Sequence, residues 1–571
     1  MFVKTNKYKL TGRVLAIFTL IFFTNILFTI TINIPADYPT IQAGIDAAVA
    51  NDIVLVAEGT YYENINFNGK AITVASNYFI DEDEAHIENT IINGSQAEDI
   101  NFGSVVTFNS QEDSTSIITG FTITEGTGTF DSTWDATFGG GIYCEGSSPL
   151  IISNDIVNNS SGGSAGIECY ASSSPRIIHN LVSNNTTTIY SAGGIDCYEN
   201  CNAYIESNAI ISNHAAINGG GVNINNSSPE LINNIISGNS AGQECGGINI
   251  WSGAPLLRYN IISNNSAVVS SGGVGIASCM YRVEIQNCLI YDNSSSSVGG
   301  GVLIQNSDVR LVNCVIDNNI GTLGDGLYLL ESSEVDLVNC IVTRHNDSGV
   351  YFDGPHNINF LYCDFDNQSN FIGNVPAGLG DISDENYYGT ACDEFKNIFE
   401  NPMFTGDEEN YYALLPGSPC IDAGIQDTTG LNLPDYDFVG NPRIVDGRGD
   451  GFAFIDMGAY EIQNVIVGTD ENLIPKVTKL YQNYPNPFNP STEIRFTAKN
   501  AEDAKIQIYN LKGQEVNSLV CPPEPDEGGT NIYSVTWNGC DKFGNPAPSG
   551  IYFYKLKVDN KEKVRKMVLL K

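Results

Sequence analysis

Apolar residues arrive in this chain as short bursts led by glycine. Gly141-Ile142, Gly166-Ile167, Gly194-Ile195, Gly221-Val222, Gly247-Ile248, Gly273-Val274, Gly301-Val302, Gly326-Leu327 and Gly349-Val350 open nine of them, at intervals of 25, 28, 27, 26, 26, 28, 25 and 23 residues. A second series keeps step, running Ile156, Leu181, Ile210, Ile235, Ile261, Leu289, Val315 and Ile341, usually inside Asn-x-Ile-Ile-x-Asn. Between the two lies a third burst, as in Leu150-Ile151-Ile152, Arg176-Ile177-Ile178 and Val309-Arg310-Leu311-Val312. Each period therefore holds three strands of ~4–6 residues separated by Asn, Gly and Ser turns, which rules out helical repeats of similar length. The pattern predicts an all-β solenoid whose rungs stack ~4.8 Å apart, with three short strands per rung and aliphatic columns inside.

Two residue types sharpen that picture. Asn159, Asn184, Asn213, Asn264 and Asn318 follow the Ile-Ile pairs, at turns where a left-handed backbone and stacked amides are expected. Cys144, Cys169 and Cys197 share the place Gly-Ile-x-Cys, while Cys288, Cys314 and Cys340 are spaced 26 apart. Both sets should form columns of small buried thiols, since Cys-x-x-Cys metal spacing is absent. An open solenoid end needs a cover. Ile41, Ile45, Ala48 and Val49 make one face of a short helix capped by Thr40, and Asp52 to Tyr61 reads as the first buried strand and its turn.

The stretch from Pro39 to Tyr61 resembles the opening of pectin-lyase-like proteins, and so implies a right-handed parallel β-helix. Leu415 to Gly424 and Asp456-Met457-Gly458-Ala459-Tyr460-Glu461 resemble the closing segments of secreted β-helix repeat proteins. Beyond residue 480 the period is gone and alternating strands follow at 492–496, 505–509, 535–537, 550–558 and 564–570, the pattern of a small β-sandwich. Tyr484-Pro485-Asn486-Pro487-Phe488-Asn489-Pro490, Ile508-Tyr509-Asn510-Leu511-Lys512-Gly513, Pro548-Ser549-Gly550-Ile551-Tyr552 and the tail Lys566 to Lys571 resemble the type A C-terminal sorting domain of the type IX secretion system. That resemblance implies export across the outer membrane with the secretion machinery as partner, then release or surface attachment. The expected organisation is a signal peptide at 1–32, the β-helix with its caps at 33–465, a linker at 466–480 and the sorting domain at 481–571.

Charge supports an exported product. Residues 1–32 carry four basic and no acidic side chains ahead of an apolar run, the layout of a signal peptide or, if uncleaved, a marginal anchor. Once the signal is removed no stable membrane span is expected. Residues 33–475 hold 9 basic and 56 acidic side chains, a field that repels nucleic acid and anionic lipid. In an oxidising compartment Cys392 could pair with Cys420, and Cys521 with Cys540.

Chemistry is harder to find. The Gly-His-Gly of polygalacturonases, the Gly-x-x-Asp-Phe-Ile-Phe-Gly of pectinesterases and the Arg-x-Pro-x-x-Arg of pectate lyases are all missing. Strand alternation instead aims Tyr143 with Glu145, Glu168 with Tyr170, Asp196 with Tyr198, Asn223 with Asn225 and Asn249 with Trp251 outward on consecutive rungs. Aromatic faces with amides and carboxylates suit sugar rings, so this strip is the candidate carbohydrate-binding surface. Catalysis there would draw on Glu168 and Asp196 with Arg176 or His179, and would make the protein a polysaccharide lyase or hydrolase acting on acidic glycans. Asp446, Asp450 and Asp456 form a carboxylate-rich loop able to take calcium. The first reading is a secreted or outer-membrane surface protein that binds polysaccharide or a surface partner.

Overall fold

The computed structural model describes residues 29–407, 410–449 and 452–463, and of the C-terminal region 479–480, 483, 488, 490–497, 504–510, 514–520, 532–548, 550–558 and 561–569. The expected signal segment and most of the linker lie outside the described residues.

The solenoid is a right-handed parallel β-helix. Three all-parallel sheets run its length: one of thirteen strands from Thr31–Ile34 to Asn357–Leu361, and two of twelve, from Gly59–Tyr61 to Asp364–Asp366 and from Ile65–Asn66 to Phe371–Gly373. The last of these, here the front sheet, contains the Gly-Ile-x-Cys strands. Strand partners match the periodicity residue for residue, for example Ile167 with Ile195 and Val222 with Ile248. Alternate positions turn inward, and one continuous apolar core runs from Ile32 to Leu379.

The leading glycines are explained by rung spacing. A Cβ on Gly194 would sit 2.3 Å from the carbonyl oxygen of Gly221, and one on Gly247 would sit 2.4 Å from that of Gly273. Only a residue without a side chain lets the next rung approach so closely.

Sequence reasoning merged two turn functions that the structure separates. Asn158, Asn184, Asn264 and Asn318 adopt positive φ (57°, 56°, 56° and 49°), turning the chain. The residues that follow, Asn159, Asn185, Asn265 and Asn319, carry the stacked amides. Asn159 donates both its main-chain N–H and its side-chain amide to Asn185 Oδ1, at 3.0 Å each, and the ladder continues through Asn213, Asn239, Asn265, Asn293 and Asn319 to His345. A parallel ladder runs Asn154, Asn180, Asn208, Asn234 and Asn260 at the preceding turn. There Cys288, Cys314, Cys340 and Cys363 take over the amide position, with Cys314 N donating to Cys340 Sγ at 3.4 Å. Those thiols are thus turn residues, whereas Cys144, Cys169 and Cys197 stack inside the front sheet as the spacing implied.

The N-terminal cover is the helix Ile41–Ala47, whose Thr40 Oγ1 accepts the Ala43 N–H at 3.1 Å. Ile41 and Ile45 are fully buried, but Val49, expected on the same face, is 64% exposed because the helix has ended. At the other end aromatic side chains including Phe360, Phe365 and Phe371 close the core. The Cys420 and Met457 segments do not seal that end. They fold back along the flank, where Cys420, Met457 and Tyr460 cover the outward side chains Leu289, Val315 and Ile341.

The C-terminal region forms two antiparallel sheets, of three and four strands, around Trp537, Tyr554, Phe488 and Ile506. Its strand Glu515–Val520 did not stand out from the alternation.

Candidate functional site

Each front strand presents two outward positions, and the structure gives them opposite fates. The first column, Tyr143, Glu168, Asp196, Asn223 and Asn249, is at most 8% exposed, against the expectation of a solvent-facing strip. The turn entering each strand lies across it. A Cβ on Gly219 would fall 2.9 Å from Asn223 Cβ, and Cys245 Sγ donates to Asn249 Oδ1 at 3.3 Å.

The side chains beneath form a one-way polar chain. Asn249 Nδ2 donates to Asn223 Oδ1 at 2.7 Å, and Asn223 Nδ2 to Asp196 Oδ1 at 2.8 Å. Glu168, one rung away, receives no such donor on Oε2 among the described residues. Burial pushes Glu168 well above the ordinary carboxylate range, with the Asp196 charge adding to the effect. Burial likewise raises Asp196, to about 7, against the opposing Asn223 amide. Burial and mutual repulsion thus favour the protonated form of the pair.

The second column is accessible. Glu145 and Trp251 are exposed and Tyr170, Tyr198 and Asn225 half-buried, so one column of the strip remains open to solvent. Tyr170 and Tyr198 stack with ring centroids 6.0 Å apart. An antiparallel hairpin, Gly128–Asp131 with Ala136–Phe138, folds over the neighbouring rungs and places Trp134 edge-on to Tyr198 at 6.1 Å. Phe138 stacks on Tyr190, whose hydroxyl donates to the Trp134 carbonyl at 3.2 Å. Trp134 and Tyr190 were missed because they fall outside the glycine-led period, although the aromatics at 130, 134 and 138 recur every fourth residue. The result is an open aromatic ladder with Trp134 42% and Trp251 48% exposed.

Other expected groupings do not assemble. Arg176 belongs to the thirteen-stranded sheet, where it lies over the Tyr204 ring at 5.4 Å, and His179 sits in the turn beyond, so neither shares a face with Glu168. Asp456 is fully buried and accepts the N–H groups of Asp422 and Ile462, at 2.7 Å each, which commits both oxygens to the fold. Asp446 accepts the Gly449 N–H at 2.6 Å as a turn residue, and Asp450 lies outside the described residues. Cys392 and Cys420 are free thiols; Cys420 Sγ faces Asp364 Oδ2 at 3.1 Å, away from a bridge. Cys540 is also free, and Cys521 lies outside the described residues.

Comparison with known proteins agrees with the architecture. The right handed beta helix region family matches residues 188–323 and 220–378, and the FlgD Ig-like domain family matches 486–562. No curated protein matches the chain. Among solved structures, it is similar to PorZ of Porphyromonas gingivalis, a surface component of the type IX secretion system, at 17% identity over 18% of this chain and 13% of that one, with a TM-score of 0.13. Dimeric latent PorU from the same organism gives 18% identity over 21% and 10%, with a TM-score of 0.14. A mannuronic acid specific polysaccharide family 6 lyase from human gut microbiota gives 12% identity over 60% and 82%, with a TM-score of 0.26. The chain spans about a tenth of the length of the two secretion components, and at these scores none of the three bears on its activity.

Proposed function

We propose that this β-helix protein is displayed at or released from the cell surface and binds neutral glycans along the column Glu145, Tyr170, Tyr198, Asn225 and Trp251, with Trp134 as its edge. The observation that carries this reading is the accessible column in which stacked Tyr170 and Tyr198, edged by Trp134, are followed two rungs on by Trp251, interleaved with carboxylate and amide groups. An open strip suits a chain of sugars better than a small molecule, which would need enclosure. The acidic body disfavours anionic polymers. Export rests on the C-terminal motifs and their resemblance to type IX sorting domains.

The reading is tested by retention on a panel of immobilised neutral and acidic glycans. Tyr198→Ala with Trp251→Ala should weaken retention of any bound neutral glycan by roughly tenfold or more, as loss of stacked aromatics does at ~1–3 kcal/mol per ring. Undiminished retention would sink it. A second reading, a lyase or hydrolase acting on acidic glycans, draws on the Glu168 and Asp196 pair, whose raised protonation is what acid catalysis uses. Sustained release of shortened or unsaturated products from acidic glycans would favour it instead.

A further inference from the structure

Inside the front sheet the inward column is aliphatic or aromatic on most rungs, with Phe108 before Cys144 and Ile224 after Cys197 in register. Only three successive rungs carry sulfur there. Beyond Cys197 the chain passes through two left-handed residues, Glu199 and Asn200, with φ of 56° and 59°, and returns Cys201, four residues after Cys197, to the interior. The equivalent turn position elsewhere is usually serine, as at Ser173 and Ser227, and Cys201 N donates to Ser227 Oγ at 3.0 Å. Cys279 also occupies that column, but beside Ile276 rather than an inward thiol. Sulfur in the turn column and sulfur in the inward column therefore meet on one rung alone. The Sγ atoms of Cys169, Cys197 and Cys201 all lie within 4.8 Å of one another and are fully buried.

We propose that Cys169, Cys197 and Cys201 form an all-sulfur, three-coordinate site for a soft monovalent cation of the Cu(I) class. Metal–sulfur bonds of ~2.3 Å around a trigonal ion require sulfurs about 4.0 Å apart, within easy reach of the observed spacing. Softness selects the ion: the three grouped donors are all sulfur, and structural zinc demands a fourth ligand. Cys201 completes the set, because the left-handed Glu199 and Asn200 return it from the turn column to the two inward thiols. Binding exchanges thiol protons for the cation without electron transfer, so affinity rises with pH.

The test uses the full chain, reduced with a phosphine under anaerobic conditions and titrated with Cu(I) against a competing chelator. One equivalent should bind, with a thiolate-to-metal charge-transfer band in the ultraviolet. Cys201→Ser, which restores the serine used on neighbouring rungs, should fold normally by circular dichroism and lose both binding and band. Cys279→Ser should lose neither. Three results overturn the proposal: no stoichiometric uptake by the reduced wild-type chain, equal uptake by Cys201→Ser, or recovery from the native source of a Cys197–Cys201 disulfide by peptide mapping.

Discussion

Asn223 donates its side-chain amide to Asp196 at 2.8 Å, and so gives one carboxyl of a stacked pair a partner while Glu168 keeps an oxygen without one among the described residues. The asymmetry ranks the two groups: Asp196 is the better place for negative charge and Glu168 the better place for a proton. A buried pair of this kind makes stability depend on pH in a definite direction.

Both carboxyls titrate higher in the folded state than their ordinary values of 4.5 and 3.8, and Glu461 behaves likewise, rising to about 7 on burial. Groups shifted upward stabilise fully below their unfolded pKa and lose that contribution as pH rises through the folded one. The thermal midpoint should therefore fall between about pH 5 and pH 8. Glu168→Gln removes part of that slope and should leave the variant more stable than the parent at pH 8. Thermal melts of the two proteins across this range decide it, and parallel pH profiles would contradict the assignment.

Asn213→Ala is expected to cost ~2–4 kcal/mol. It strips the acceptor from the N–H and amide of Asn185 and the donor from the Val182 carbonyl, all buried. Cys314→Ala, at the thiol end of the neighbouring ladder, gives up only the long thiol contacts to the Ile285 and Val312 carbonyls, at 3.5 and 3.4 Å, and a small apolar volume, and should cost ~1 kcal/mol. Urea midpoints of the two variants should differ in that order.

Arg344 fastens the flanking segment to the solenoid. Its Nη1 donates to the Tyr411 hydroxyl at 2.7 Å and its Nε to Asp317 Oδ1 at 2.7 Å, while Tyr412 donates to Asp317 Oδ2 at 2.8 Å, and Asp317 is almost wholly buried. Arg344→Ala leaves that carboxylate without its cation, at a cost of ~3 kcal/mol. Hydrogen exchange should accelerate across residues 400–463 while the rungs near Cys169 stay protected. Uniform acceleration through the whole chain would show that the segment is not separately fastened.

Deleting residues 481–571, the proposed export signal, should strand the protein inside the cell envelope. Fractionation of the native host, with and without the deletion, reads this directly, and normal surface display of the truncated chain would refute it.

The solenoid was legible because its constraint is repeated: one glycine per rung must admit the next carbonyl, so Gly194 and Gly247 announce the spacing themselves. The Cys144, Cys169 and Cys197 column followed from the same register. The burial of Glu168 and Asn249 was not legible, since strand alternation says which way a side chain leaves the sheet but not whether a turn then crosses it. Nor did the period foresee Trp134, contributed by an insertion, or the return of Cys201, which depends on two consecutive left-handed residues.

Each amide in the ladder needs the identical amide of the adjoining storey and a main-chain carbonyl that any storey supplies, and every storey of the ladder brings its own left-handed residue and its own glycine. A whole storey could accordingly be copied or excised at the gene level with no new interface to invent. Lineages carrying this fold could lengthen or shorten it as readily as adding a brick, adjusting reach without redesigning either end.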